Sequence, residues 1–334
     1  MQFQLICKKY RSFLLIFGLA LLFARESFAC DPCAIFNASR LQGHQKDSLT
    51  FAVSQQLTTF KRKREERSLA VSSGENLRAF STTQFSVNYD LNERLGLQFS
   101  LPLIGRNYWR YQNFRRDREL DIGIGDAVFL TNYTFAEKRG LNFNGSLSAS
   151  FGVKLPTGDT GVLRDLASGN RSDDPLKDGF KHHQIGAASG GRALSLGSGS
   201  VDYILGVNSL TRYKRALLLS RLQYGVRTEG DFNYRFANDL IASISTGYFL
   251  SADHDLTLAL LLSVSGEFKN KDKLRGGFVD GSGFSNIYFG PELLLTYKKN
   301  LGAELRFEAR ATNPDPAAEI IPAERYSVSF FYRF

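Results

Sequence analysis

The chain has 334 residues, a formal net charge of +9 and three cysteines. Apolar residues make up 43% and aromatic residues 13% of the sequence, which excludes a disordered chain, because such chains have too few apolar groups to bury. The mean hydropathy is nevertheless −0.21. That value argues against a helical membrane protein and favours many strands with one apolar and one polar face.

Residues 1–29 have the pattern of a secretory signal peptide. A basic cluster at 8–11 precedes an apolar run at 13–23, and small residues end the segment at Ala29. The apolar run is about eleven residues long, whereas a membrane-spanning helix needs roughly 20. Removal of the segment takes away four basic residues and one acid and lowers the net charge from +9 to +6. We therefore expect an exported protein.

Residues 30–47 are predicted to form a periplasmic N-terminal segment that begins with Cys30 and Cys33. In an oxidising compartment the two thiols can form a disulfide. Lipidation of Cys30 is an alternative, although Ser27 stands where lipoproteins carry an aliphatic residue. A redox or metal-binding role is a third alternative, and the sequence leaves all three open.

Residues 48–334 alternate between apolar and polar side chains over almost their whole length, which is typical of half-buried strands. Leu256 to Val264 and Leu301 to Ala309 are the clearest examples. We place twelve strands, at about 48–60, 77–90, 94–103, 119–135, 140–155, 199–213, 215–228, 237–250, 255–268, 285–298, 301–311 and 324–334.

The connections between these strands alternate between long and short. Together with an even strand number, this alternation predicts an all-β, transmembrane, antiparallel up-and-down β-barrel with long extracellular loops and short periplasmic turns. A soluble sandwich would show no such asymmetry between its two ends. The last strand places Tyr326, Val328, Phe330, Tyr332 and Phe334 on one face. Because every backbone group in lipid needs a partner, we expect this strand to pair with the first.

The alternation of side chains along each strand places charged residues of both signs on the interior of this barrel. Such residues can pair into a ladder that stiffens and fills the lumen, or they can line a path for a solute. The predicted set is Arg94, Lys154, Arg221, Arg227, Glu267, Glu292, Lys298, Glu304, Arg306, Glu308, Arg310 and Arg333. A barrel of this size lies between small filled barrels and open porins, so we expect at most a narrow pore.

The predicted extracellular loops are basic. They carry Lys61 to Arg64, Arg67, Arg106, Arg110, Arg115, Arg116, Arg118, Lys269, Lys271, Lys273 and Arg275. Contact with lipopolysaccharide and other membrane lipid accounts for such clusters, and guidance of an anionic solute is the alternative. Nucleic-acid binding is not expected, because the clusters are spread over separate loops without a recognition fold.

The third long loop, at about 156–198, is long enough to fold into the lumen as a constriction. It contains His182 and His183, but a third ligand at suitable spacing is missing, so we predict no metal or other cofactor. A histidine–serine cluster suited to lipid hydrolysis on the outer face is also missing, and we predict that the protein is not an enzyme.

Three glycine-rich segments carry a family resemblance. They are Gly123-Ile-Gly-Asp126, Gly152-Val-Lys-Leu-Pro-Thr-Gly158 and Gly197-Ser-Gly-Ser-Val-Asp202. Their spacing resembles that of the transporter-like outer-membrane barrels grouped as phenol-degradation meta-pathway proteins, over roughly residues 78–334. The resemblance implies a passive channel for small hydrophobic or aromatic compounds.

The expected function is therefore a channel in the bacterial outer membrane for passive passage of small solutes. The alternative is a non-conducting barrel that anchors a periplasmic or surface partner. In either case the aromatic residue Phe334 resembles the signal that the barrel-assembly machinery reads.

Overall fold

The computed structural model of the protein describes residues 45–62, 76–112, 115–168, 195–253, 255–279, 282–298, 300–312 and 320–334. The predicted signal peptide, Cys30, Cys33, His182 and His183 lie outside these residues.

The described residues form a closed, antiparallel barrel of twelve strands, which confirms the predicted fold class. The first half of the barrel comprises β1 (Ser48–Arg62), β2 (Asn76–Asp90), β3 (Leu95–Gln112), β4 (Arg115–Ile124), β5 (Ala127–Arg139), β6 (Phe143–Leu155) and β7 (Asp202–Tyr213). The second half comprises β8 (Ala216–Val226), β10 (Asp239–Ala252), β11 (Leu256–Lys269), β14 (Phe284–Tyr297), β15 (Leu301–Arg310) and β16 (Ile320–Arg333). Consecutive segments β4 and β5 together make one barrel strand.

The barrel closes between its first and last strands. β16 pairs antiparallel with β1, with Thr50 opposite Arg333 and Leu57 opposite Tyr326. Beyond the last ladder pair, the Phe334 N–H donates to the Leu49 carbonyl at 2.9 Å. The predicted pairing of the terminal strand with the first is therefore correct, and the sheet has no free edge at this seam.

The two ends of the barrel differ as the sequence predicts. Short turns at 91–94, 140–142, 214–215, 253–255 and 298–300 lie at one end, which we call the periplasmic end. The longer connections lie at the other end, which we call the extracellular end. Lys214 and Lys298 adopt φ values of 53° and 49° in these turns. Lys298 and Arg94 are exposed residues of these turns. They do not lie on the inner wall, where the alternation of inward and outward residues was expected to place them.

The outer surface of the barrel is a belt of exposed apolar side chains. It includes Phe51, Phe85, Phe99, Phe129, Phe151, Leu205, Leu222, Ile244, Leu262, Phe289, Leu305 and Tyr326, each between 36% and 55% exposed. A belt of this size exceeds the apolar patches of soluble monomers, and it matches a surface that faces lipid.

Within the described residues, no helix is both long enough and apolar enough to cross a membrane.

The structure differs from the sequence prediction around the third and fourth strands. The predicted loop at 104–118 is a hairpin, because β3 continues to Gln112 and pairs with β4 through to Arg115. The predicted strand at 119–135 is broken at Gly125 and Asp126. The Gly125 N–H donates to the Pro102 carbonyl at 2.8 Å, and the Ala127 N–H donates to the Thr157 hydroxyl at 2.8 Å. These bonds satisfy the backbone where the chain leaves the ladder.

Extracellular connections fold into a small cap, which contains helix α1 (Gly161–Ser168), a 3-10 turn (Asp231–Asn233) and the short strands β9 (Tyr234–Arg235), β12 (Lys273–Leu274) and β13 (Gly277–Phe278). Leu163, Tyr234 and Phe236 form its apolar centre. The Arg275 guanidinium donates to the Ala167 carbonyl at 2.9 Å and ties two of the connections together.

Candidate functional site: the barrel interior

The inner wall has two halves that differ in burial. In β11 from Ala259 to Lys269, in β14 from Asn286 to Thr296 and in β1 from Ser48 to Thr58, every inward-facing side chain is buried. We call the inner faces of β11, β14, β15, β16, β1 and β2 the filled half. The inner faces of β3, β5, β6, β7, β8 and β10 form the open half, in which many side chains remain partly exposed.

Arg306 is the centre of one charged group in the filled half. Its guanidinium lies 3.1 Å from the Glu292 carboxylate and 2.9 Å from the Glu304 carboxylate. The Ser245 hydroxyl also donates to Glu292 at 2.8 Å. Glu292 is fully buried, and a buried carboxylate is stable only when it is paired and hydrogen-bonded.

A second charged group lies one level closer to the extracellular end. The Arg325 guanidinium is 2.5 Å from the Glu267 carboxylate, and it also stacks on the Tyr288 ring at 3.7 Å from the ring centre. The Ser265 hydroxyl donates to Glu308 at 2.8 Å. These contacts cross from strand to strand. Of the two arrangements that the sequence left open for these side chains, they form the ladder that occupies space in the lumen.

Apolar side chains fill the interior below the charged groups, near the periplasmic end. They come from β1, β8, β10, β11, β14 and β16 and form one packed cluster of Ala52, Leu217, Leu219, Phe249, Ala259, Leu261, Leu294 and Phe331. We call this cluster the apolar floor. Gly302 makes room for it, since a Cβ there would overlap the Phe331 ring. The sequence contained a signal for this layer, because in runs such as Ala216 to Leu219 the inward-facing and the outward-facing residues are both apolar.

The open half carries a continuous strip of partly exposed residues, which we call the inner strip. It comprises Gln98, Leu130, Asn132, Asn144, Ser146, Ser148, Ser150, Gly206, Leu210, Arg212, Arg221, Ser243 and Gly247. Ladder pairing makes these residues neighbours, for example Asn132 with Ser150 and Ser150 with Gly206. The strip runs from the periplasmic ends of β6 and β7 to the middle of the barrel.

Hydrogen bonds within the wall orient the polar groups of the inner strip. The Ser150 hydroxyl donates to the Asn132 side-chain carbonyl at 2.6 Å and accepts from the Asn208 amide at 2.9 Å. The hydroxyl oxygens of Thr134 and Ser148 are 2.8 Å apart. Short polar side chains that bond along the wall leave space in front of them, which accounts for the partial exposure.

A second apolar layer closes the inner strip on its extracellular side. Val128, Ile204 and Ile241 are buried against one another, and Leu130 packs on them. Gly152 lies beside this layer, where a Cβ would overlap the Leu130 side chain. A solute in the strip would therefore meet a barrier of branched side chains before it reached the outside.

Above that layer, the three glycine-rich segments meet at a buried ion cluster. The Lys154 ammonium lies 2.6 Å from the Asp126 carboxylate and 2.8 Å from the Asp202 carboxylate, and it also contacts the Ser198 hydroxyl. Ser198 in turn donates to Asp126 from both its backbone N–H, at 3.0 Å, and its hydroxyl, at 2.7 Å.

Arg227 extends this cluster to the next two strands. Its guanidinium lies 3.1 Å from Asp202 and 2.7 Å from Asp239. Gly225 leaves room for the pair, since a Cβ there would overlap the Asp239 carboxylate. We call Asp126, Lys154, Ser198, Asp202, Arg227 and Asp239 the rim cluster. Nothing but glycine fits the close approach of Gly158 and Gly197 beside it, because a Cβ on Gly197 would overlap the Gly158 carbonyl oxygen.

The cap is fixed to the wall by a further buried pair. The Lys269 ammonium lies 2.7 Å from Asp272, which also accepts a bond of 2.9 Å from the Tyr234 hydroxyl. Lys269 and Arg106 were expected in basic extracellular loops. Both are instead buried wall residues, of β11 and β3 respectively.

The structure separates the predicted lumen residues into three environments. Glu267, Glu292, Glu304, Arg306, Glu308 and Arg310 lie in the filled half, Lys154 and Arg227 in the rim cluster, and Arg221 in the inner strip. Sequence reasoning did not identify the carboxylates of the rim cluster as site residues. The available signal was the aspartate at the end of two of the glycine-rich segments. Within the described part of the chain, no group of three or more His, Cys, Asp or Glu side chains is arranged to hold a metal ion.

These features define the class of fold: a closed transmembrane barrel of the outer-membrane type, with a partly filled interior. No protein-family model and no curated protein matches the sequence. Among solved structures, the chain is similar to the COG4313 outer membrane channel from Pseudomonas putida F1, with a TM-score of 0.51 and 13% identity over 92% of this chain and 100% of that chain.

Two further solved structures are similar at a lower level. One is the TodX deltaS2S3 mutant monoaromatic hydrocarbon channel, with a TM-score of 0.43 and 13% identity over 92% of this chain and 96% of that one. The other is the translocator domain of autotransporter NalP from Neisseria meningitidis, with a TM-score of 0.39 and 9% identity over 87% of this chain and 89% of that one. The comparison with the Pseudomonas channel supports the barrel fold.

Proposed function

We propose that the protein is a channel of the bacterial outer membrane through which small solutes pass passively along the open half of its interior. The observation that supports this function is the inner strip, a continuous band of partly exposed wall residues from the periplasmic end to mid-barrel. Ser, Asn and Gln side chains dominate the strip, and such groups hold water in narrow pores. The solved channel of similar fold supports the same function.

The location in the outer membrane rests on the apolar belt and on the predicted signal peptide at 1–29. In this proposal the protein is inserted by the barrel-assembly machinery, which reads Phe334, and it contacts lipopolysaccharide through its basic extracellular surface. Passage along the strip requires movement of the layer formed by Val128, Ile204 and Ile241, together with opening of the rim cluster.

A non-conducting barrel is the second candidate, and a specific observation favours it. Two apolar layers, two charged groups and the cap occupy much of the interior. In that case the barrel serves as an anchor for a periplasmic or surface partner.

Single-channel recording of the refolded mature protein in planar bilayers separates the two candidates. The channel function predicts discrete, reproducible steps of current in potassium chloride. As a control, unheated and heated samples of the protein are compared on SDS gels, because a folded barrel migrates faster than the heat-denatured chain. A folded barrel that stays silent in repeated insertions contradicts the channel.

A further inference from the structure

We propose that the protein forms a symmetric dimer in the membrane, in which the outer faces of β1 and β2 of two copies meet at Gln55. The inference goes beyond the proposed function, because it concerns the outer surface of the barrel and does not depend on conduction. It follows from a polar group within the apolar belt, from the hydrogen bonds that this group makes and from those that it leaves open.

A polar group interrupts the apolar belt on β1 and β2. Gln55 is opposite Thr83 in the ladder, and both face outward, since the inward-facing Gln56 and Gln84 beside them are buried. Ser81, the next outward residue of β2, completes what we call the outer polar group. The outward residues around this group are apolar: Val53, Leu57, Phe85, Leu103 and Val328. A polar surface therefore lies within a region that otherwise suits lipid.

The outer polar group lies at membrane depth. Phe51 packs on Phe334 at 5.7 Å between ring centres and marks the periplasmic edge of the belt. Gln55 lies farther along β1, about 13 Å from Phe51 along the strand at a rise of about 3.3 Å per residue. With a strand tilt of about 40°, this is about 10 Å into an apolar band that is about 25 Å tall. The Gln55 amide is therefore far from water on both sides of the band.

The hydrogen bonds within the outer polar group use only half of the Gln55 amide. Its Nε2 donates to the Ser81 hydroxyl at 2.7 Å, and its Oε1 accepts from the Thr83 hydroxyl. A primary amide has two N–H donors and a carbonyl oxygen with two acceptor positions. Among the described residues, no partner takes the second donor or the second acceptor position of this amide. Such groups are costly in hydrocarbon, so a polar partner from outside the chain would be stabilising.

A second copy of the chain supplies that partner. Two primary amides pair through two N–H···O=C bonds, because each offers a donor and an acceptor, whereas a lipid chain offers neither. Two copies in one bilayer align their apolar belts at the same depth. A two-fold axis along the membrane normal can therefore bring the same residue of both copies together. A side chain near that axis must complement itself, which an amide does and a charged group does not.

The wall beside the amide allows a close approach. Ser81 is opposite Gly105 of β3, and both are small outward-facing residues. The larger side chains of Leu57 and Ile122 flank them in the ladder. Small residues let membrane segments approach closely, and polar side chains then bond across the contact. The recess between the two larger side chains can receive a side chain of the second copy.

The first test is photo-crosslinking in bacterial outer membranes that contain the full chain. A benzoyl-phenylalanine replaces Leu57 beside the proposed contact, so that Gln55 stays intact. The matched control carries the same group at Leu222 of β8, which is 50% exposed and lies on the opposite side of the barrel. Irradiation should give a product of twice the chain mass from position 57 and not from position 222. Equal yields, no product from position 57, or a product with a different protein there would overturn the proposal.

The second test is sedimentation equilibrium of the purified barrel in density-matched detergent, which measures the dissociation constant of the dimer. Gln55→Leu should raise this constant about tenfold, the size of effect that side-chain hydrogen bonds between membrane segments have. Gln55→Asn should retain part of the affinity, because the shorter side chain keeps both donor and acceptor. A parent protein that stays monomeric at every concentration, or an unchanged constant for Gln55→Leu, would contradict the dimer.

Two further readouts keep these results distinct from folding and from conduction. The faster migration of unheated samples on SDS gels shows that each variant is a folded barrel. Neither test requires a current, so a silent bilayer together with a Gln55-dependent dimer rejects the channel and keeps the dimer. Conductance from a protein that is monomeric in both tests rejects the dimer and keeps the channel.

Discussion

The filled half and the open half of the wall are built on the same backbone pattern but have opposite consequences for the lumen. In the filled half, long side chains such as Arg306 and Glu292 reach across strands and pair. In the open half, short side chains such as Ser150 and Asn132 bond to their immediate neighbours. Side-chain length and charge, and not strand geometry, therefore decide which part of this barrel is occupied by its own residues.

The largest expected effect is on the charged groups of the filled half. Arg325→Ala leaves the buried Glu267 carboxylate without its cation, which we expect to cost about 3–5 kcal/mol of unfolding free energy. Urea unfolding in detergent micelles measures this loss. Arg139→Ala is the control, because its bond to Glu137 lies at the exposed periplasmic end of β5 and should contribute less than about 1 kcal/mol. Equal losses would mean that the filled half is not held by its ion pairs.

The second largest loss of unfolding free energy is expected for a substitution in the apolar floor. Leu294→Ala removes a buried side chain and leaves a cavity, so we expect a loss of about 2–4 kcal/mol. Leu295→Ala, one residue along on the lipid-facing side, is the matched control and should cost less, because lipid can fill the space. The same urea titration reports both variants, and a larger loss for Leu295→Ala would contradict the assignment of the faces.

The rim cluster should show a local effect. Asp202→Asn weakens the contacts with Lys154 and Arg227, and we expect about 1–3 kcal/mol less protection against local opening. Hydrogen exchange of the amides of Ser198 and Thr228, which donate to Asp126 and Asp202, provides the readout. Asp253→Asn in an exposed periplasmic turn is the control. If the exchange of both amides is unchanged by Asp202→Asn, the cluster does not fasten the extracellular connections.

The smallest effect compares one serine from each half. Ser263→Ala in the filled half removes a fully buried hydroxyl that lies 2.8 Å from the Ser245 hydroxyl, and it should cost about 1 kcal/mol. Ser148→Ala in the open half should cost less than about 0.5 kcal/mol, because water can replace the lost bond to Thr134. Thermal unfolding of the two variants side by side checks this order, and the reverse order would remove the distinction between the halves.

The number of strands, most of their ends and most of their inward and outward faces could be predicted from the sequence, because these follow from local alternation and from turn length. Leu260 and Leu262 face outward while Ser263 and Ser265 face inward, as alternation requires. The break at Gly125 could not be predicted in this way. Alternation continues across it, and the hydrogen bonds that permit the break come from Pro102 and Thr157, which are distant in sequence.

The content of the lumen was predicted only in part. Alternation along each strand correctly predicted that Arg306 and Glu292 lie on the inner wall. It does not predict which side chains are in contact across neighbouring strands. Whether a charged residue pairs or faces water depends on neighbours set by register, such as Ser245 opposite Ser263. The difference between the two halves therefore became visible only once the strands were aligned in space.

The seam between β1 and β16 sets a condition on how the molecule forms. Its partners, such as Thr50 and Arg333, are almost the full length of the barrel apart in sequence, whereas every other seam joins strands that are neighbours along the chain. Until the last strand is in place, the edge of β1 therefore has hydrogen-bonding groups without strand partners. An uncovered strand edge pairs readily with other chains, so the closing of this one seam by the last strand also removes the edge at which the barrel could aggregate.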